Sequence, residues 1–197
     1  MKPKPRRATI ERRTGETDIH LELDLDGTGQ HDINTGVGFL DHMLAQIARH
    51  GQVDLTLRAR GDVHIDFHHT AEDTGIVLGE AIRQALGDKA GVTRYGSALI
   101  PLDEALVQCA LDLSGRPFLS YDVPVSGKVG EFDAELALEI FRAIAFNAAV
   151  TLHLTALAGE NTHHLIEAAF KAFARALRAA KAVEQGSTEV PSTKGVL

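Results

Sequence analysis

The chain has 197 residues, 44% of them hydrophobic and 24% charged, with a formal net charge of -7 at neutral pH. That balance suits a folded soluble protein with one sizeable core or two small fused ones, and it leaves disorder only for the ends. The acidic excess disfavours nucleic acid, whose phosphates are held chiefly by surplus Lys and Arg; the single cysteine excludes an internal disulfide, and no stretch has the length of a membrane span.

The N-terminus, M-K-P-K-P-R-R, is basic but has no apolar segment behind it, so a cytoplasmic chain is expected. Ile19, Leu21, Leu23 and Leu25 then alternate with His20, Glu22 and Asp24, the period of a half-buried strand. Phe39, Leu40, Met43, Leu44 and Ile47 recur at three and four, which predicts a helix with Gly51 as its stop. Val53, Leu55 and Leu57 read as a second strand, and a second helix follows, carrying Ile76, Val77, Ala81 and Ile82. After a join near Gly87 to Gly91 the series begins again.

Glu16 to Gly27 lies over Glu104 to Gly115, with Leu23-Asp24-Leu25 over Leu111-Asp112-Leu113. Further on, Asp41-His42-Met43-Leu44 falls near Leu138-Glu139-Ile140-Phe141, and Val53 to Leu57 over Val150 to Leu154. Such self-similarity predicts a duplicated α+β fold of two similar halves, each a small sheet with two helices on one face. The expected organisation is a first repeat over 1–90, a second over 91–184 and a tail over 185–197, rich in Gly, Ser, Thr and Pro, that adds little core and moves freely when no ligand is bound.

Each repeat carries H-H-x-x-E at the start of its second helix: His68-His69-Thr70-Ala71-Glu72, and His163-His164-Leu165-Ile166-Glu167. On a helix, residues i and i+4 share a face while i+1 is turned about 100° away. One motif can therefore serve two metal ions, its first His and its Glu gripping one while its second His points elsewhere. A single such motif is often no more than a polar first turn, its carboxylate favoured by the helix dipole. Two at corresponding places in a duplication point to paired metal sites. His20, His31, His50 and His64 read as ordinary strand or surface residues, and Cys109, beside Val107, Ala110 and Leu111, as a packed small side chain.

Several further segments, G-V-G-F-L-D-H-M-L, R-Y-G, D-E-A-L, L-D-L-S-G-R-P, G-E-N-T-H-H-L-I-E and V-P-S-T-K-G, stand in unbroken order with H-H-T-A-E-D from Arg7 to Leu197. Together they resemble the imidazoleglycerol-phosphate dehydratase family of histidine biosynthesis. The resemblance implies a 24-subunit particle with active sites between subunits and two Mn2+ ions per site. One ion would be held by His42, His69, His163 and Glu167, the other by His68, Glu72, His164 and a further ligand that in many relatives is histidine. Here that position is Glu139, and a carboxylate suits manganese, which accepts N and O donors. A salt bridge on an exposed helix face is the alternative for Glu139. Phe67 stands where relatives often carry Asp.

The reaction so implied removes water from imidazole glycerol phosphate to give imidazole acetol phosphate. The departing hydrogen sits beside no carbonyl, so a base alone faces a carbanion without a sink. Cations on both ring nitrogens make the imidazole electron-rich enough to expel the adjacent hydroxyl, after which a carboxylate suffices as base. By resemblance that acid/base is Glu16, which by spacing alone reads as an exposed charge at a strand start. Arg94, Arg116, Lys171, Ser192 and Lys194 match the phosphate and substrate contacts. Gln46, one turn beyond His42, is a candidate for the substrate hydroxyls, and the tail for a lid. A binuclear hydrolase would favour bridging carboxylates over imidazoles, and a metal-organised cage would not need the cation set.

Overall fold

The computed structural model describes residues 5–184, 186–195 and 197. Met1 to Lys4, at the start of the first repeat, and Gln185 and Val196 of the tail lie outside the described residues. The first half runs β1 (Arg7–Arg13), β2 (Thr17–Asp24), β3 (His31–Asn34), α1 (Gly38–Gly51), β4 (Asp54–Gly61) and α2 (His68–Leu86). The second runs β5 (Tyr95–Leu102), β6 (Ala105–Asp112), β7 (Phe118–Asp122), a short hairpin of β8 (Lys128–Val129) and β9 (Phe132–Asp133), α3 (Leu136–Asn147), β10 (Thr151–Ala158) and α4 (Thr162–Ala180).

The two sheets have the same plan. Their strand orders are β1-β2-β4-β3 and β5-β6-β10-β7, with β3 parallel to β4, β7 parallel to β10 and the other neighbours antiparallel. The alternation read from the sequence sets their faces: Ile19, Leu21 and Leu23 of β2 and Val107, Cys109 and Leu111 of β6 are buried, and the residues between them turn outward. In β10 the same rule buries Leu152 and Leu154 and puts His153 outside, against Phe118.

Helices of the two halves are shared across one core. Helix α2 rests on β1 and β2 and also on α3; α4 rests on β5 and β6 and also on α1. The buried side chains of both halves accordingly form one continuous cluster between the sheets. Phe141, Phe170 and Phe173 fill its second half, with the Phe141 and Phe170 rings 4.5 Å apart.

Small residues bring the helices close. A Cβ on Gly75 would lie 2.8 Å from that of Ala143 and 2.9 Å from the Ile140 carbonyl; one on Gly79 would lie 2.8 Å from both Asn147 Cβ and the Ile144 carbonyl. Because both contact series advance together, α2 and α3 run parallel with their N-terminal turns side by side. Those turns carry His68, Glu72 and Glu139.

The motif helices are fastened at their starts. Asp66 Oδ1 accepts the His68 N–H at 2.8 Å and Asn161 Oδ1 that of His164 at 3.2 Å, satisfying amides a helix start leaves unpaired. Phe67 therefore stands beside a working cap. Asp73, next to Glu72 and buried, accepts from Arg12 Nε at 2.9 Å and from the Thr17 hydroxyl, which ties α2 to the β1–β2 hairpin. One expectation shifts by a residue: Gly51 is the last residue of α1, and the left-handed position falls to Gln52, whose φ is 49° and whose N–H reaches the Ala48 carbonyl.

Asp54 opens β4 and pins the preceding turn, its Oδ1 accepting the N–H groups of Thr28, Gly29 and Gln30 at 2.8, 3.0 and 2.9 Å. Burial opposes its ionisation, but these three donors hold its pKa below the ordinary value.

Two outcomes follow for stability. Gly79→Val is expected to destabilise the protein by about 2 kcal/mol, read as a lower urea midpoint, because the new side chain overlaps α3 backbone. A depressed carboxylate stabilises above its unfolded pKa and loses that contribution as pH falls through the folded one. The deficit of Asp54→Asn in urea unfolding should therefore be largest at pH 7 and shrink towards pH 3.

Candidate active site

The N-terminal turns of α1 and α4 bring His42, His163 and Glu167 together, each offering one ligand atom within 4.8 Å of the others. His163 Nε2 lies 3.0 Å and His42 Nε2 3.5 Å from the same Glu167 oxygen, Oε2. The other oxygen, Oε1, accepts from Lys171 Nζ at 2.8 Å, one turn further along α4. Burial opposes ionisation of Glu167, yet Lys171, His163 and His42 together hold its pKa below the ordinary value. Phe39 backs the cluster, its ring 5.1 Å from His163 and 5.1 Å from Phe132 of the β8–β9 hairpin. Gln46 stays at His42, its amide nitrogen 3.4 Å from Nδ1.

The duplication supplies a counterpart on α2 and α3. His68 and Glu72 correspond to His163 and Glu167, and Glu139 to His42. The second set is arranged differently, with His68 Nε2 3.8 Å from Glu72 and both Glu139 oxygens taken by Arg142 Nη1 at 2.7 and 2.6 Å. Arg142, one turn along α3, is a partner of Glu139 that the sequence did not single out.

The second His of each motif faces elsewhere, as the i+1 geometry requires. His69 Nδ1–H donates to Asp62 Oδ2 at 2.9 Å, and its Nε2 lies 3.6 Å from Glu16. His164 Nδ1–H donates to Glu104 Oε2 at 2.8 Å. The Asp62 contact raises the pKa of His69 and the Glu104 contact that of His164; the bond from His164 and the Asn161 N–H hold Glu104 at about 2. Neither Asp62 nor Glu104 was singled out from the sequence, although Glu104 lay opposite Glu16 in the repeat.

Two of the cationic candidates, Arg94 and Arg116, meet at Asp112. Arg94, at φ 74°, spans two elements: Nε and Nη2 donate to Asp112 at 2.8 and 3.2 Å, and Nη1 donates to the Pro191 carbonyl at 2.8 Å. Arg116, largely exposed, approaches the same Asp112 at 3.9 Å. The tail is held here as well, the Gly91 N–H donating to the Glu189 carbonyl at 2.9 Å. Ser192 Oγ accepts the Lys194 N–H at 3.2 Å within a local turn. The tail, expected to add little core, thus meets the segment before β5 through one backbone and one side-chain bond. Cys109 is fully buried, and burial pushes its thiol pKa up, as fits a packing role. Among the described residues no helix is long and apolar enough to cross a membrane.

Fold and site define a duplicated α+β protein with imidazole and carboxylate side chains at paired helix starts, the outline of an enzyme. Residues 35–177 match the family model described as imidazoleglycerol-phosphate dehydratase. Relatives of that name from Dinoroseobacter shibae and Granulibacter bethesdensis are 58% and 59% identical, each over 98% of this chain and over 100% and 99% of their own length. Crystal structures of the Staphylococcus aureus and Pyrococcus furiosus enzymes superpose with TM-scores of 0.83 each, at 42% and 39% identity, covering 90% and 95% of this chain and 99% and 100% of theirs. The chain belongs to the imidazoleglycerol-phosphate dehydratase family.

Arg94 joins the tail to the core, so Arg94→Gln should free it. The expected readouts are faster proteolysis after Lys194 and faster exchange of the Gly91 amide, with little change in the Tm of the rest.

Proposed function

We propose that this chain is a hydro-lyase of histidine biosynthesis that removes water from imidazole glycerol phosphate to give imidazole acetol phosphate, using two Mn2+ ions per active site. The observation that carries the reading is the convergence of His42, His163 and Glu167, whose repeat counterparts in the sequence are Glu139, His68 and Glu72. Mixed nitrogen and oxygen donors of this kind fit a divalent ion between the hard and borderline classes. His69 would complete the first set and His164 the second. When bound, the ions supply positive charge to the nitrogens of the substrate ring.

The remaining work falls to the side chains. Glu16, exposed at the β1–β2 turn and next to His69, is the acid/base that takes the carbon-bound proton. Arg94 and Arg116, with Ser192 and Lys194 of the tail, receive the phosphate, for which planar guanidinium donors are well matched. Lys171 holds Glu167 in place and offers its ammonium to the substrate, and Gln46 is placed for a hydroxyl. With its anchor at Arg94, the tail closes over the phosphate and excludes water.

Because His69 and His164 lie away from the sets they would complete, the sites are proposed to form between subunits of a 24-subunit particle, in the cytoplasm. The test measures imidazole acetol phosphate formation with Mn2+ and with chelator, alongside particle mass by light scattering. His68→Ala is expected to lower turnover by roughly 100-fold or more, a direct ligand mattering at least as much as the groups that orient it. Turnover indifferent to chelation would sink the reading.

A further inference from the structure

Resting on the proposed cation sites, we infer that Asp62 and Glu104 are positioning residues that set the second histidine of each motif, and that Asp62 leaves Glu16 free to react. A carboxylate can only accept, so each bond fixes the proton on Nδ1 and leaves Nε2 as the ligating atom. Asp62 does this for His69 at 2.9 Å and Glu104 for His164 at 2.8 Å. Both are bound in turn by backbone: the Asp62 N–H donates to the Glu16 carbonyl at 3.1 Å, and Glu104 Oε1 accepts the Asn161 N–H at 2.9 Å. Among the described residues, Asp62 Oδ1 is buried without a partner, so the bond to His69 is what this carboxylate has to offset its desolvation.

The two halves reach this result by different routes. Glu16 and Glu104 are repeat counterparts, each at the tip of the first hairpin of its half. Glu104 is spent on His164 and on the first turn of α4. Glu16 is 55% exposed and makes no such bond, because Asp62 has taken the Nδ1 of His69. Asp62 belongs to the connection from β4 to α2, residues 62–67, which is longer than its counterpart at 159–161. The added length carries the carboxylate that relieves Glu16, so equivalent glutamates hold unequal roles.

The test uses Mn2+ binding to the full-length protein, followed by calorimetry and by the electron paramagnetic resonance signal of free ion. Glu104→Ala is expected to weaken one class of site about 10- to 100-fold and to spare the other, and Asp62→Ala the reverse. Glu104→Gln, which keeps an acceptor, should recover most of the loss. In the metal-free protein at alkaline pH, nitrogen NMR should find His164 protonated at Nδ1 in the parent and in Glu104→Gln, but mostly at Nε2 in Glu104→Ala. Unchanged Mn2+ affinity in Glu104→Ala or in Asp62→Ala would overturn the proposal. Neither the binding nor the NMR readout depends on which substrate is turned over, so failure of the dehydratase reading would be seen separately.

Discussion

Close parallel contact between helices of different halves is the constraint on which the site depends. Gly75 and Gly79 let α2 approach the backbone of α3 more nearly than any side chain would permit, and α1 lies along α4 in the same manner. Parallel packing puts helix starts next to helix starts. A duplicated motif at the start of one helix then meets a residue at the start of another, which is how His42 comes to stand beside His163 and Glu167. An antiparallel pair would have separated them by the length of a helix, about 1.5 Å for every residue.

Around that contact two buried or part-buried carboxylates are each set against compensating groups. Glu167 is ionised against its burial because Lys171 and two imidazoles face it. Asp73 is covered by Arg12 and Thr17, which also fixes the turn that carries Glu72. Where the site reaches solvent the compensation loosens, and Arg142 occupies Glu139 with a local i,i+3 pair. The same sequence plan thus yields one gathered set and one spread set.

Much of this could be read from the residues. Alternation in β2 and β6, the three-and-four spacing of α1 and the repeat itself name the faces that are buried, because a strand or helix must hide one side. The i, i+4 spacing separates His163 from His164 and His68 from His69 before any coordinates are known. Partners brought in by loops were not legible: Asp62 meets His69 across seven residues and a turn, and the β8–β9 hairpin, which carries Phe132 to Phe39, has no counterpart in the first half. The anchor at Arg94 was hidden too, since a composition of Gly, Ser and Pro says nothing of which distant side chain will bond its carbonyls. Periodicity reports what a segment does alone; it is silent on which irregular segment visits it.

The grip of Lys171 on Glu167 limits the denticity of that carboxylate. With Oε1 engaged by the ammonium at 2.8 Å, a single oxygen faces the space between His42 and His163. Calcium favours six to eight oxygens and readily takes both from one carboxylate. At the cation site proposed above, a chelating mode would be closed for as long as the lysine stays, and the lysine would favour smaller ions content with one oxygen and several nitrogens.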